Sequence, residues 1–430
     1  MNNPVTDVII AGAGHAGLSA SYYLKNLGID HIVFERGKVG ESWRSQRWDS
    51  FLFNTANKLN VLPGDQYKGN DPDGFCPANE FVSSLEKYVA GFQLPVTENS
   101  MVTSIDKNDA SGFFNVTVSQ NNIINQYQCR QVIIASGSAS EKRIPLFAAN
   151  ISQDIKQLHT SEYRNSSQLP DGAVLVTGSA QSGIQIAEDL ADAGRKVFLS
   201  TSMVARIPRR YRGKDCIDWL IMMKFFDMRA EDIKDPAMLN MKPPHLTGTG
   251  GGHRTISLQL LAKKGITILG KMENADGKNL VFQPNAAMHV KFADGFSGKV
   301  KGMIDEFIEK NQLMAPPPEM DHDDIPDTDA NCASAITSFN PDDHNIRSVI
   351  WTTGFNGNFS YIKLPVLNNE GNLKHKEGVS DVEGLYFLGL PWLRKRKSTI
   401  LFGINDDAEF IADKVFNYAR DKKSMHAATS

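Results

Sequence analysis

Two glycine-rich segments in this 430-residue chain have a spacing suited to holding phosphate groups. The first, GAGHAG, spans 12–17, and the second, GSAQSG, spans 178–183. Glycines at these intervals let the backbone turn tightly and approach a pyrophosphate, while the following helix directs free N–H groups at the anion. The two segments therefore predict the binding of two dinucleotides. The alternative is that each turn only packs a helix against a sheet.

The first glycine turn lies inside a complete strand–helix–strand pattern. The apolar run Val8–Ile10 before the turn is typical of a buried parallel strand. A helical pattern follows the turn and ends near Gly28, and 31–34 indicates a second strand that leads into Glu35. An acid at this point is placed to accept hydrogen bonds from a ribose. This unit therefore predicts a dinucleotide-binding domain.

The second glycine turn lies in a similar unit, over 172–202, which lacks the acid. The position equivalent to Glu35 is Thr201. A carboxylate there would repel the 2′-phosphate of NADPH, whereas a hydroxyl would tolerate it and nearby arginines would attract it. NADPH is favoured over NADH for this reason, and NADH stays open. The nearby arginines are Arg206, Arg209 and Arg210. The alternatives for them are a solvated loop or contact with the flavin instead of NADPH.

Composition and charge restrict the function. The chain has 46 Lys and Arg against 49 Asp and Glu, a net charge of −3, which argues against a nucleic-acid partner. Its four cysteines are scattered and form no CxxC, which argues against a disulfide framework, a metal site and a dithiol redox centre. No apolar run approaches the roughly 18 residues that cross a bilayer, and no signal-peptide pattern is seen. A cytoplasmic protein without membrane insertion is expected.

Further segments carry a resemblance to a known family, the class B flavin-dependent monooxygenases. GKVGESWRSQRWDS at 37–50 resembles the Gly-x-x-Trp segment of that family, with Trp43 as its tryptophan. VIIASGS at 132–138 and VIWTTGFN at 349–356 resemble the strands at which the chain passes between domains. GLYFLGLPW at 384–392 resembles the last strand of the FAD domain. The resemblance implies an α/β fold with two Rossmann-like dinucleotide-binding domains, the NADP domain being inserted in the FAD domain.

The resemblance also implies domain limits and cofactor contacts. The first part of the FAD domain is predicted over 1–165, the NAD(P)H domain with extra helices over 166–335, and the second part of the FAD domain over 336–430. The predicted FAD contacts are Gly12, Gly14, His15, Ala16, Gly17, Glu35, Arg36, Trp43, Val102 and Gly137. The predicted NAD(P)H contacts are Gly178, Ser179, Gln181, Ser182, Gly183, Thr201 and Arg206.

Two polar residues are candidates for a part in the chemistry. FNTANKLN at 53–60 resembles the family's asparagine segment at the flavin, which implies that Asn54 hydrogen-bonds the oxygenated flavin. The alternative is an asparagine in a turn. HTSEY matches only the second half of the family fingerprint, through His159 and Tyr163. For His159, a hydrogen bond to the interdomain linker is favoured over proton transfer.

Four other segments leave alternatives open. The Met- and Phe-rich stretch 211–233 either walls an apolar substrate pocket or forms helix core. The glycine-rich loop 245–256 either moves with NADPH or is a passive connection. The basic run 393–398 either neutralises cofactor or substrate charge or faces solvent. The Pro- and Asp-rich stretch 315–330 is interpreted as a surface linker rather than a metal site.

The resemblance implies an FAD-dependent, NADPH-using monooxygenase. Such an enzyme forms a C4a-peroxyflavin and oxygenates a small organic substrate at nitrogen, sulfur or a carbonyl group. Its expected partners are molecular oxygen and that substrate, and a homodimer stays open. Two other classes remain: a flavin-dependent NAD(P)H oxidase or dehydrogenase, and a non-catalytic flavoprotein that senses nucleotides. Steady NADPH turnover would exclude the sensor, and an oxygenated product would exclude the oxidase.

Overall fold

The computed structural model describes residues 5–240, 242–248 and 254–429. The middle of the predicted loop 245–256 lies outside the described residues. Across the described residues the strands are β1 Thr6–Ala11, β2 His31–Phe34, β3 Val96–Thr97, β4 Ser100–Lys107, β5 Phe114–Gln120, β6 Ile123–Ile134, β7 Glu141–Lys142, β8 Lys156–His159, β9 Ala173–Thr177, β10 Val197–Ser200, β11 Arg210–Tyr211, β12 Lys214–Asp215, β13 Thr267–Leu269, β14 Met272–Ala275, β15 Leu280–Phe282, β16 Ser338–Phe339, β17 Ile346–Trp351, β18 Phe355–Asn356, β19 His375–Lys376, β20 Val379–Ser380 and β21 Leu385–Phe387. The α-helices are α1 His15–Asn26, α2 Glu41–Ser45, α3 Ala78–Phe92, α4 Gln181–Asp192, α5 Cys216–Met222, α6 Leu258–Lys263, α7 Ala286–Lys310 and α8 Ile404–Thr429.

The first sheet is built on the apolar strand that precedes the first glycine turn. Its parallel part has the order β3-β2-β1-β6-β21, with β20 and β19 added antiparallel at one edge. Ile10 on β1 is in register with Val33 on one side and Ile133 on the other. All three side chains are fully buried, as expected for a parallel strand that is covered on both faces. β4 and β5 extend from β6 as an antiparallel ribbon.

The second sheet repeats the arrangement of the first. It has the order β13-β10-β9-β17-β8, and all its strands are parallel. In each sheet the strand that leads into a glycine turn is central, and the next strand in sequence lies at its side. The predicted α/β fold with two Rossmann-like domains is confirmed. The strands of the second sheet lie in sequence between β6 and β19 of the first.

The second sheet extends beyond the limits predicted for the NAD(P)H domain. β8 ends before residue 166 and β17 begins after residue 335, yet both pair within this sheet. The short strand β8 falls in the segment that was predicted for the first part of the FAD domain, because its four residues show little apolar pattern. Its pairing with β17 completes the sheet edge. We propose that the second domain runs from about 156 to 351.

Extra helices cover one side of the second domain. Asp215 caps α5 by accepting a hydrogen bond from Ile217 N at 2.8 Å. The indole of Trp219 is fully buried in a cluster with Val300 and Ile304 of α7. This part of the Met- and Phe-rich stretch therefore forms helix core, which was one of its two predicted roles. None of the helices within the described residues is both long enough and apolar enough to span a bilayer.

Candidate functional site

Two glycines of the first turn are packed against protein atoms, and the third has free space beside it. Gly12 has a φ of +111°, and a Cβ there would lie 2.6 Å from Ala135 O. A Cβ on Gly17 would overlap the carbonyl oxygen of Gly12. A Cβ on Gly14 would meet nothing within 4 Å, although this residue begins α1 as its N-cap. The turn therefore leaves room for a ligand directly in front of the uncapped helix N-terminus.

Glu35 joins the glycine turn to the end of β2. Its buried carboxylate accepts hydrogen bonds from Ala13 N at 2.8 Å and from Gly37 N at 3.0 Å. Burial raises the pKa of Glu35, and the two N–H donors act in the opposite direction. Each carboxylate oxygen keeps a lone pair for a further donor, such as a ribose hydroxyl.

The other predicted FAD contacts lie around this turn and along the neighbouring strands. Arg36 follows Glu35 and is exposed. Burial lowers the pKa of His15 to about 4, so its ring is neutral at pH 7. Trp43 packs against Phe53, with 4.7 Å between ring centroids. The remaining three are Ala16, which is buried on α1, Val102 on β4, and Gly137, which has a φ of +72° just after β6.

The second glycine turn reproduces the first. Gly178 has a φ of +102°, and a Cβ on Gly183 would overlap the carbonyl oxygen of Gly178. α4 begins after Ala180 with no side chain capping its N–H groups. Ser179 Oγ accepts a hydrogen bond from Ser202 N at 3.0 Å, which ties the turn to the end of β10. This geometry again presents a helix N-terminus with free donors.

Two predicted NAD(P)H contacts, Thr201 and Arg206, are turned into the protein in this structure. Thr201 is 1% exposed and donates its hydroxyl to Leu269 O. Arg206 is also 1% exposed, and its guanidinium pairs with Asp294 and Asp324. A 2′-phosphate would have to displace both carboxylates from Arg206. No local pattern indicated this pairing, because the two acids lie 88 and 118 residues downstream of Arg206.

A cavity of about 940 Å³ lies between the two domains, where the segment 43–55 of the first domain faces the start of α4. Its lining comes from both domains, from the extra helices and from the segment before α8. Gln181 and Ser182 bring the N-terminus of α4 into the wall. Among the described residues its lining side chains are mostly apolar, and none is Asp, Glu, His or Cys. The other lining residues are Trp43, Gln46, Arg47, Trp48, Phe51, Phe53, Asn54, Thr55, Thr160, Gln185, Ile207, Ile217, Leu220, Phe225, Phe226, Met228, Met238, Leu239, Pro243, Pro244, Leu246, Phe296, Lys299, Val300, Met303, Phe355, Pro391, Trp392, Arg396, Thr399, Ile400, Leu401 and Phe402.

Asn54 lies in this wall and faces the second domain. Its side-chain oxygen is 3.5 Å from Gln185 Nε2 of α4. Its backbone oxygen accepts a hydrogen bond of 2.8 Å from Arg209, which is itself buried and paired with Asp215. The asparagine is therefore held at the junction of the two domains rather than in a free surface turn. No pattern in the sequence pointed to Gln185 or Arg209 as supports of Asn54, because both lie more than 130 residues downstream.

Several buried polar atoms around the cavity have no hydrogen-bond partner among the described residues. They belong to Gln46 (Oε1), Trp48 (Nε1), Thr160 (Oγ1), Gln185 (Oε1) and Arg396 (Nη1), all of which line the cavity. Buried polar groups are normally satisfied, because leaving one unpaired costs about 1–3 kcal/mol. Their concentration here fits a cavity that binds a polar ligand or cofactor.

His159 is hydrogen-bonded to the segment after β17, at which the chain passes between the domains. Its Nε2 lies 2.9 Å from Gly354 O, which can only accept, so Nε2 carries the proton and Nδ1 accepts from Ser161 Oγ at 2.9 Å. Burial is the main cause of its lowered pKa. The hydrogen bond to the interdomain segment, which the sequence favoured, is confirmed. Tyr163, the second fingerprint residue, donates its hydroxyl to Asp189 at 2.7 Å.

A family model, a sequence relative and solved structures all match this chain. The sequence model described as pyridine nucleotide-disulphide oxidoreductase matches residues 9–218. A CzcO-like uncharacterized oxidoreductase of Geobacillus kaustophilus is 32% identical over 96% of this chain and 99% of its own length. The flavin-containing monooxygenase of Stenotrophomonas maltophilia has a TM-score of 0.64 at 16% identity, covering 97% of this chain and 100% of that one. The structure of OTEMO in complex with FAD and NADP has a TM-score of 0.56 at 13% identity, covering 98% and 87%.

The fold and the paired glycine turns define a protein with two dinucleotide-binding domains, and the two structural neighbours share that fold. The match over nearly the whole length shows that this chain belongs to the family of CzcO-like oxidoreductases. The predicted resemblance to the class B flavin-dependent monooxygenases is confirmed.

Replacement of Gly14 by alanine tests whether the open turn holds a pyrophosphate. We expect Gly14→Ala to fold normally, because its methyl group meets no protein atom within 4 Å. The affinity for FAD should fall by about ten-fold or more, because the methyl group occupies the path of the pyrophosphate. FAD content after purification and an FAD titration of the apoprotein measure this.

The matched control is Gly91→Ala, which also adds a methyl group in open space, near the end of α3. This variant should bind FAD like the wild type. Normal FAD binding by Gly14→Ala would show that this turn does not receive the pyrophosphate.

Proposed function

We propose that this chain is an FAD-dependent, NADPH-using monooxygenase that transfers one atom of molecular oxygen to nitrogen, sulfur or a carbonyl group of a small organic substrate. The observation that carries the proposal is a cavity lined by residues of both domains, whose described lining residues include no acidic, histidine or cysteine side chain. The relative OTEMO, which is described as a complex with FAD and NADP, supports this pair of cofactors.

Each domain offers residues that suit one cofactor. The pyrophosphate of FAD would lie at Gly14 before α1, with Glu35 accepting hydrogen bonds from its ribose. NADPH would use the equivalent turn before α4, where Gln181 and Ser182 reach the cavity. Reduced FAD supplies the activation of oxygen, and NADPH supplies the hydride.

The protein contributes orientation and exclusion of water. Lining groups such as Phe51 and Phe53 keep the cavity apolar, so that water does not divert oxygen into hydrogen peroxide. Asn54 offers an amide, which donates and accepts hydrogen bonds but releases no proton near neutral pH. Held at its backbone by Arg209, it would stabilise the oxygen-carrying state without protonating it.

The fate of oxygen tests this proposal. Holoprotein is supplied with NADPH, ¹⁸O₂ and a panel of one sulfide, one amine and one cyclic ketone, and NADPH loss, hydrogen peroxide and labelled product are quantified. We expect label in the product of at least one compound. Complete recovery of electrons as peroxide with every compound would identify an oxidase. A protein whose flavin NADPH cannot reduce would instead fit the nucleotide sensor.

Asn54→Ala should separate NADPH consumption from oxygenation. We expect NADPH oxidation to continue while the ratio of product to peroxide falls by about ten-fold, equivalent to the loss of about 1.4 kcal/mol of stabilisation. Asn125→Ala, on the remote ribbon strand β6, is the control and should keep the wild-type ratio. An unchanged ratio in Asn54→Ala would remove this residue from the proposed mechanism.

Lys242 is the residue that we propose for recognition of the 2′-phosphate, in place of Arg206. Its ammonium group donates to Ser202 Oγ at 3.2 Å, just beyond the strand end where the first unit has Glu35. Burial lowers the pKa of Lys242, and the positive charges of Arg143 and Lys271 lower it further. A doubly charged phosphate would relieve this repulsion, which favours NADPH over NADH.

Lys242→Ala should raise the KM for NADPH by about ten-fold and leave the KM for NADH nearly unchanged, as expected for loss of one phosphate contact. Steady-state oxidation of both nucleotides measures the two constants. Lys310→Ala, which removes an exposed cation at the far end of α7, is the control. Equal changes for both nucleotides would assign Lys242 a structural role.

A further inference from the structure

We propose that Arg396 binds the anionic head of the substrate, and that the substrate is an amphipathic molecule whose apolar body lies against the neighbouring phenylalanine and methionine side chains. This inference rests on the proposed function, because it names the substrate class for the same cavity. The ligand chemistry is a carboxylate on an apolar body of aromatic size.

The charged side chains among the described lining residues of the cavity are all positive. Its described lining residues include the cations Arg47, Lys299 and Arg396, and none is an aspartate or glutamate. A cation surrounded by apolar walls interacts strongly with an incoming anion, because little water screens the pair. The cavity therefore favours anionic ligands over neutral ones of the same shape.

Arg396 differs from the other cations of the basic run 393–398. Arg394 lies 3.4 Å from the carboxylate of Asp407. Lys395 forms ion pairs with both Asp227 and Asp406, and Lys397 pairs with the same two carboxylates. Among the described residues, no carboxylate pairs with Arg396 within ion-pair distance. The run thus divides into three structural cations and one that faces the cavity.

The guanidinium of Arg396 lies between aromatic rings. Its central carbon is 4.3 Å from the ring centroid of Phe225 and 5.5 Å from that of Trp392. Its Nη1 is buried without a hydrogen-bond partner among the described residues. Burial also lowers the pKa of Arg396. Cation–π contacts stabilise the group only partly, so a planar carboxylate that accepts from its N–H donors would be favourable.

Backbone hydrogen bonds connect the proposed anion site at Arg396 to the apolar wall of the cavity. Arg396 N donates to Met228 O at 2.9 Å, and Lys397 N donates to Phe226 O at 3.2 Å. The side chains of Met228 and Phe226 line the cavity beside Arg396. Rings and thioethers accommodate apolar groups of varied shape. A substrate held at its carboxylate would therefore place its apolar body along this wall.

Arg47 provides the comparison within the same cavity. Its guanidinium lies 4.5 Å from the ring centroid of Trp43, on the wall that also carries Asn54. This wall belongs to the segment that is proposed to meet the flavin. The contacts of Arg396 come instead from the extra helices and from the segment before α8. We therefore assign the substrate anion to Arg396 and not to Arg47.

The test compares (phenylthio)acetate with its methyl ester, which has the same apolar body and no charge. Each probe is titrated into oxidised holoprotein, and binding is followed by the change in flavin absorbance. We expect the anion to bind at least ten-fold tighter than the ester. Because the titration needs no turnover, its result stands apart from whether the protein oxygenates either compound.

Substitutions of Arg396 test whether this residue causes the preference for the anionic probe. Arg396→Gln should reduce the difference between the probes to about two-fold or less, whereas Arg396→Lys should retain most of it. FAD content and NADPH affinity should stay at wild-type values in both. Arg420→Gln, an exposed arginine of α8 at 63% side-chain exposure, is the control and should keep the full preference.

Three results would overturn the proposal. Equal binding of the two probes to the wild type would show that the cavity does not select anions, and this comparison depends on no variant. A preference that survives in Arg396→Gln would assign the anion to another cation. Loss of FAD or NADPH binding in an Arg396→Gln protein with normal thermal unfolding would assign Arg396 to a cofactor phosphate.

Discussion

The close contact between helix and strand at the two glycine turns is the constraint on which the rest of the structure depends. Gly17 and Gly183 each sit against the carbonyl oxygen of the first glycine of their turn, at a distance that no Cβ could occupy. This contact brings each helix onto its sheet with an uncapped N-terminus beyond the carboxyl ends of the strands. The N-terminus of α4 reaches the cavity through Gln181 and Ser182, and the first domain lines the cavity through the segment 43–55, so the two domains can serve one cavity.

Polar contacts hold the two domains around that cavity. Arg209, paired with Asp215, also donates to the backbone of Asn54 in the first domain. Lys58 of the same segment pairs with Asp218 of α5 at 2.9 Å. Both contacts join the segment 54–58 of the first domain to the second domain, so they resist separation of the domains. Asn54 is thereby fixed against α4, and the cavity keeps an apolar lining on the first-domain side.

The sequence predicted what depends on local pattern and missed what depends on distant partners. The glycine spacings at 12–17 and 178–183, with the apolar runs beside them, were sufficient to predict both Rossmann-like units, because their geometry involves residues close in sequence. The ion pairing of Arg206 could not be foreseen from local pattern, because Asp294, which binds its guanidinium, lies 88 residues away. For the same reason, no local pattern distinguished Arg396 from its neighbours in the basic run. Only the folded chain shows which cations are paired.

The central claim is that both nucleotides act within one cavity, so that hydride passes directly from NADPH to the flavin. The most direct measurement is anaerobic rapid mixing of the holoprotein with NADPH deuterated at one or the other face of its C4 position. We predict that the flavin absorbance falls with a primary isotope effect for deuterium on one face only, because a fixed cavity presents one face of the nicotinamide to the flavin. Flavin that stays oxidised, or that is reduced with no isotope effect on either face, would contradict the account.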